Sequence, residues 1–223
     1  MNMKPILFNT EMVQAILYGR KTQTRRCVKP FPVLDKDGWW QVGKAVWPQS
    51  HVRLFYQEGD PLWGYAPCNP DDILWVRETW YKDAGRYMYK ADYAVGEKFF
   101  RNGKEVAIRW HPSIHMPKEA ARIFLRVKEV RLERLQGIKN YECVDEGAVK
   151  RPNITKRGDL VLHNRYREEF ARLWGSTIKP TDRDKYGWDA NPWVWVIEFE
   201  RCKKPDNITH WMPRPKTLEE DAE

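Results

Sequence analysis

The chain has few cysteines, and none of them is paired in sequence. Cys27, Cys68, Cys143 and Cys202 are widely scattered and make no C-x-x-C unit, which argues against a structural zinc site. A glycine-rich phosphate fingerprint is missing, and so is the strict strand–helix alternation of a doubly wound fold. There is no internal repeat. Neither a signal-peptide pattern nor a long apolar run occurs. The expectation is therefore a soluble, cytoplasmic protein with reduced thiols, no membrane contact and no cofactor, in which the sequons at Asn153 and Asn207 carry no glycan.

What is present is aromatic and basic. The 223 residues include 12 tryptophans, carry a formal net charge of +8 and are 42% hydrophobic. That hydrophobic share is ordinary for a globular chain and argues against global disorder. The basic balance favours polyanionic partners, and flat indole rings can serve either as core or as stacking platforms for bases.

The pattern along the chain predicts an α+β domain over residues 1–202, built on a small, bent sheet or barrel flanked by short helices. An elaborated, proline-punctuated insertion occupies 27–70, and a mobile polar tail follows over 203–223. Asn9 or Thr10 caps a first helix whose Met12, Val13, Ile16 and Leu17 recur at helical spacing, and Gly19 suits the left-handed position that ends it. Residues 73–80 read as a strong strand with Leu74, Val76, Glu78 and Trp80 on one face and Ile73, Trp75, Arg77 and Thr79 on the other. Further strands are expected over 87–92, over 121–127 and from Trp193 to Glu200. The apolar phase slips by one residue between Val127 and Val130, as at a bulge. A helix is expected from His163 to Trp174, ended by Gly175, and an exposed basic hairpin or loop over 148–162.

Four positive charges fall within the nine residues from Tyr18 to Arg26. Here Gly19-x-Lys21-x-x-Thr24-x-Arg26 resembles the motif of the ASCH family, with threonine where the family more often has glutamate. The bacterial N4-acetylcytidine amidohydrolases, small members of that family, carry the same threonine. The segments 74–80, 112–117 and 191–199 look like ones common in phage and prophage ASCH-type proteins, so the resemblance spans most of the chain.

The resemblance implies a PUA-like β-barrel with a cleft beside the helix that precedes the motif. It also implies a modified nucleoside or a nucleic acid, RNA before DNA, as partner. Carried over, Lys21 is the base that activates the Thr24 hydroxyl for attack on the acyl group of an N4-acylated cytidine. That role needs a lysine whose pKa has fallen, and a segment turned so that positions i and i+3 converge. Glu78, a carboxylate on an apolar strand face, is the candidate third member, as proton donor or lysine partner; the alternative is a salt bridge to Arg26 or Arg77. Arg26, Trp75, Arg77, Ser113, His115 and Trp195 are the candidate substrate-binding residues. Ser113 and His115 lie in a stiff loop between Pro112 and Pro117 that lacks a nucleophile-elbow context, and no metal is expected there. Arg109, Lys118 and Arg122 make a candidate basic rim. The function expected is nucleoside or nucleic-acid binding, with acyl-cytidine hydrolysis as its specific form. A non-catalytic RNA- or DNA-binding module and a ribonuclease are the alternatives.

Overall fold

The structure is a computed structural model and describes residues 2–101, 104–148, 153–154, 160–161 and 166–205. It is α+β, with many strands and few short helices. One six-stranded sheet organises it: β1 (Met3–Leu7), β2 (Gln23–Cys27), β3 (Arg53–Phe55), β4 (Ile73–Arg77), β5 (Phe124–Arg134) and β6 (Trp193–Cys202). The order across the sheet is β1-β4-β5-β6-β2. Only β1 and β4 are parallel, and β3 pairs with the far half of β5.

The sheet is curled but is not closed into a barrel, because no backbone ladder joins β1 to β2. A side chain spans that gap: Arg26 of β2 donates from Nη2 to the Leu7 carbonyl of β1 at 2.9 Å. The bend comes from β5. Its register against β6 shifts between Val127 and Glu129, so Val127 and Val130 both face the main core. This is the phase slip visible in the sequence, and a bulge of this kind sharpens strand twist.

The first helix, α1 (Thr10–Leu17), is capped by Asn9, whose side chain accepts from Met12 N–H at 2.9 Å. Val13 and Ile16 bury themselves in the main cluster with Leu74, Val76, Leu132, Trp195 and Ile197. Gly19 leaves the helix at φ +71°, and the Arg20 and Lys21 amides both return to the Ala15 carbonyl, at 2.8 and 3.1 Å. The motif therefore starts in a tight turn and becomes a strand only at Gln23.

The opposite face of the sheet is covered by α2 (Asn140–Asp145) and α3 (Tyr166–Thr177), with Phe170, Leu173 and Trp174 packed on Val194 and Val196. The α3 helix runs through Gly175 instead of stopping there. Ser176 and Thr177 donate their hydroxyls to the Leu173 and Trp174 carbonyls at 2.6 and 2.7 Å, which satisfies the last turn.

Within 27–70, Val33–Leu34, Trp39–Val42 and Ala45–Pro48 form a three-stranded sheet. It folds Val42, Ala45 and Trp47 onto the main core, where Trp47 packs edge-on to Trp193 at 5.5 Å. This segment is core-bearing. The strand expected over 87–92 stops at Tyr89, and Lys90–Asp92 forms a 3-10 turn. Of the hairpin expected over 148–162, Asn153–Ile154 and Leu160–Val161 pair antiparallel. The tail expected over 203–223 lies, from residue 206 on, outside the described residues.

Candidate functional site at the motif strand

Alternation along β2 sends the motif two ways. Gln23 and Arg25 face the α2/α3 layer, while Thr24 and Arg26 face the main core, opposite Ile197 and Trp195 of β6.

On the α2/α3 face lies a buried ionic cluster. Lys21, Arg25 and Arg131 oppose Glu133, Glu142 and Glu146, all of them buried. Arg25 reaches Glu133 at 2.6 Å, Glu146 at 2.9 Å and Glu142 at 3.4 Å. Arg131 reaches Glu142 at 2.8 Å, and Arg53 closes the rim on Glu133 at 2.7 Å. Three cations meet three carboxylates, so the buried set is balanced. Each partner is thereby costly to remove, because the survivor is left as an unpaired buried charge.

Lys21 is fully part of this cluster. Its Nζ donates to the Gln23 carbonyl at 2.8 Å, the Glu146 carbonyl at 2.9 Å and Glu146 Oε2 at 2.8 Å. An ammonium has three donors, and all three are used. Burial pushes the Lys21 pKa down, Glu146 pulls it back up, and Arg26 and Arg25 push it down again. Gly147 makes this close approach feasible: at φ +91° it holds a left-handed turn, and a Cβ there would sit 3.0 Å from that of Ala15.

Thr24 is also buried, and its Oγ1 accepts from Arg26 Nη1 at 2.9 Å. With Arg26, Glu146, Met12 and Leu173 of α3 it lines a cavity of about 20 Å³. That is room for about one water, not for a nucleobase. Lys21 instead borders an open cleft of about 410 Å³, shared with Gly19, Thr22, Gln23, Asp145 and Glu198. Phe199, Lys128, Glu200 and Arg201 complete its walls. Lys21 and Thr24 therefore line different cavities.

Glu78 belongs to a separate ionic group. The strand expected over 73–80 ends at Arg77, so strand phase does not orient Glu78, which is buried from the segment after β4. Trp80 packs with the Trp75 cluster and not on the Leu74/Val76 face. The partner of Glu78 is Arg122, not Arg26 or Arg77. Arg122 holds both carboxylate oxygens at 2.9 Å and takes Asp92 at 2.7 Å. Burial pushes the Glu78 pKa up, Arg122 opposes that shift, and Asp92 adds to it. No charge in this set is shared with those acting on Lys21.

The candidate substrate-binding residues scatter. Trp195 is core, its ring 5.2 Å from that of Trp63. Trp75 is core as well, packed with Met3, Met116 and Phe124 on the outer face of the sheet. Arg77 lies over the Trp75 ring at 5.5 Å and donates to the Ile114 carbonyl, which pins the loop holding Ser113 and His115. His115 is exposed and Ser113 half-buried in that loop, and neither lines the two cavities at the motif. Arg122, expected on a basic rim, is instead the counter-ion of Glu78. Among the described residues no cluster of His, Cys, Asp and Glu could hold a metal ion, and no helix is long and apolar enough to cross a membrane.

The sequence reading passed over Arg25, Arg131, Glu133, Glu142 and Glu146. The signal was available: Arg131 and Glu133 are charges at i and i+2 on one face of a strand, and Glu142 and Glu146 lie at i and i+4 on one helical face. The chain matches no protein-family model, no curated protein and no solved structure.

Proposed function

We propose that the chain is a nucleoside-binding domain of ASCH type with a PUA-like fold, and that the ligand sits in the 410 Å³ cleft beside the motif turn. The curled sheet supports the fold reading, with Arg26 bridging its two edges and the motif following α1 directly. The carrying observation is the cleft itself. Its volume is in the range of small-molecule sites.

Its lining also suits a neutral ligand. Lys21, Lys128 and Arg201 are balanced by Asp145, Glu198 and Glu200, so the wall does not single out phosphate. Asp145 offers a carboxylate oxygen to an exocyclic amino group, as acidic side chains do to cytosine N4, and Glu198, whose Oε1 is held by Arg131, has its second oxygen for the same role. Phe199 and Ile16 give the base an apolar wall. Titration calorimetry tests this reading. Cytidine is expected to bind at least tenfold tighter than uridine, and Asp145→Asn to erase most of that preference. Equal affinity for the two nucleosides, or no heat with either, would overturn it.

Hydrolysis of N4-acylated cytidine is the second reading, and two observations favour it. Burial lowers the Lys21 pKa in the direction a base needs, and the Arg26 guanidinium against Thr24 Oγ1 would stabilise an alkoxide there. It requires two rearrangements: Lys21 must give up one of three acceptors, and α3 must lift from the cavity over Thr24.

A further inference from the structure

From Arg77 through Arg122, both included, there are ten Lys and Arg against six Asp and Glu, and from Trp80 through Trp110, both included, there are eight Phe, Trp and Tyr. The segment forms a lobe off the sheet, with hairpins Trp80–Asp83/Arg86–Tyr89 and Phe99–Arg101/Lys104–Val106. The loop after the second hairpin is tied to the first: Trp80 and His111 exchange backbone hydrogen bonds at 3.2 and 2.7 Å.

This tie presents rings in a fixed pose. The half-exposed Tyr81 and exposed His111 are nearly parallel, at 11°, and Trp80 backs His111 at 4.9 Å. Phe100 stands 65% exposed on the neighbouring hairpin. On the same segment Lys82, Lys90 and Arg109 are exposed, none is paired to a carboxylate among the described residues, and Lys82 lies over the Tyr87 ring at 5.0 Å. Two carboxylates of the lobe are already neutralised, Asp92 by Arg122 and Glu105 by Lys98.

We infer that this lobe binds single-stranded nucleic acid, its ring faces stacking unpaired bases and Lys82, Lys90 and Arg109 following the phosphates. Flat faces accept any base and need it unstacked, so the surface selects single strands over duplex. The lobe shares no residue with the walls of the proposed nucleoside cleft and does not depend on it.

Fluorescence anisotropy with labelled 15-mer oligothymidylate, oligouridylate and a duplex of equal length, across a sodium chloride series, tests this. Three phosphate contacts give an expected log–log salt slope of about −2, and Lys82→Ala/Arg109→Ala should flatten it to about −0.7. Tyr81→Ala should weaken binding about tenfold with its slope unchanged, as loss of one stack does. Asp145→Asn in the cleft should leave oligonucleotide affinity at the wild-type value, and the lobe variants should keep cytidine binding. All substitutions in the lobe are at exposed or half-exposed positions, and near-ultraviolet circular dichroism checks that its tryptophans stay packed. Absence of oligonucleotide binding, equal affinity for duplex, wild-type affinity in the lobe variants, or capture by anionic vesicles in place of oligonucleotide would overturn the inference.

Discussion

The two faces of β2 carry nearly the same chemistry and put it to different use. Arg25 on one face is buried among three glutamates, whereas Arg26 on the other spans the open edge of the sheet and touches one hydroxyl and two carbonyls. The first arginine holds a layer of helix to the sheet through charge. The second holds two sheet edges together through neutral acceptors. A basic motif is therefore no evidence of an anion site by itself, because its charges can all be consumed within the fold.

The sharpest way to break this comparison is to remove each arginine's function in turn. Arg25→Met should cost about 3–5 kcal/mol, because Glu133 and Glu146 lose a buried partner. Urea denaturation measures it, and a loss under 1 kcal/mol would mean the cluster is solvated. Lys21→Met should cost about 3 kcal/mol at neutral pH by leaving Glu146 Oε2 and two carbonyls without their donor.

That variant also has a pH signature. The folded Lys21 pKa lies below its unfolded value, so between the two the unfolded chain binds more protons and wild-type stability rises with pH. The gap between wild type and Lys21→Met should therefore widen on the alkaline side, below the ordinary lysine value. A gap that narrows there would reverse the sign assigned to burial.

On the other face the effects are smaller. Thr24→Val should cost about 1 kcal/mol, the price of one hydrogen bond from Arg26. Glu78→Gln gives the mildest test. The Glu78 pKa is raised, so its stabilising contribution is present at acid pH and is lost as pH rises from about 4 through the folded value. Wild-type stability should fall relative to Glu78→Gln over that window in thermal denaturation, and a rise would show that Arg122 outweighs burial.

Local structure was largely legible in the sequence. The Asn9 cap, the Gly19 turn, the two faces of the 73–80 strand as far as its end at Arg77 and the slip after Val127 each rest on short-range rules of spacing and conformation. The end of α3 was not, because hydroxyls of Ser176 and Thr177 outweighed the local preference of Gly175. Nor was the site. Which carboxylate meets which cation depends on the docking of α2 onto the sheet, 121 and 125 residues from the motif arginine and lysine. Tryptophan number was equally silent on place: Trp47, Trp193 and Trp195 fill the core, Trp39 is exposed on the inserted three-stranded sheet, and Trp80 is half-buried beside His111.

The most direct test of the account follows N4-acetylcytidine in two ways at once, by calorimetry for binding and by chromatography for release of cytidine. A nucleoside cleft beside a fully engaged Lys21 predicts saturable binding at one site, weakened about tenfold by Asp145→Asn, with no cytidine formed over the course of the titration. Release of cytidine by wild type that stops in a folded Lys21→Met variant would contradict it, and would make Lys21 a base instead of a counter-ion.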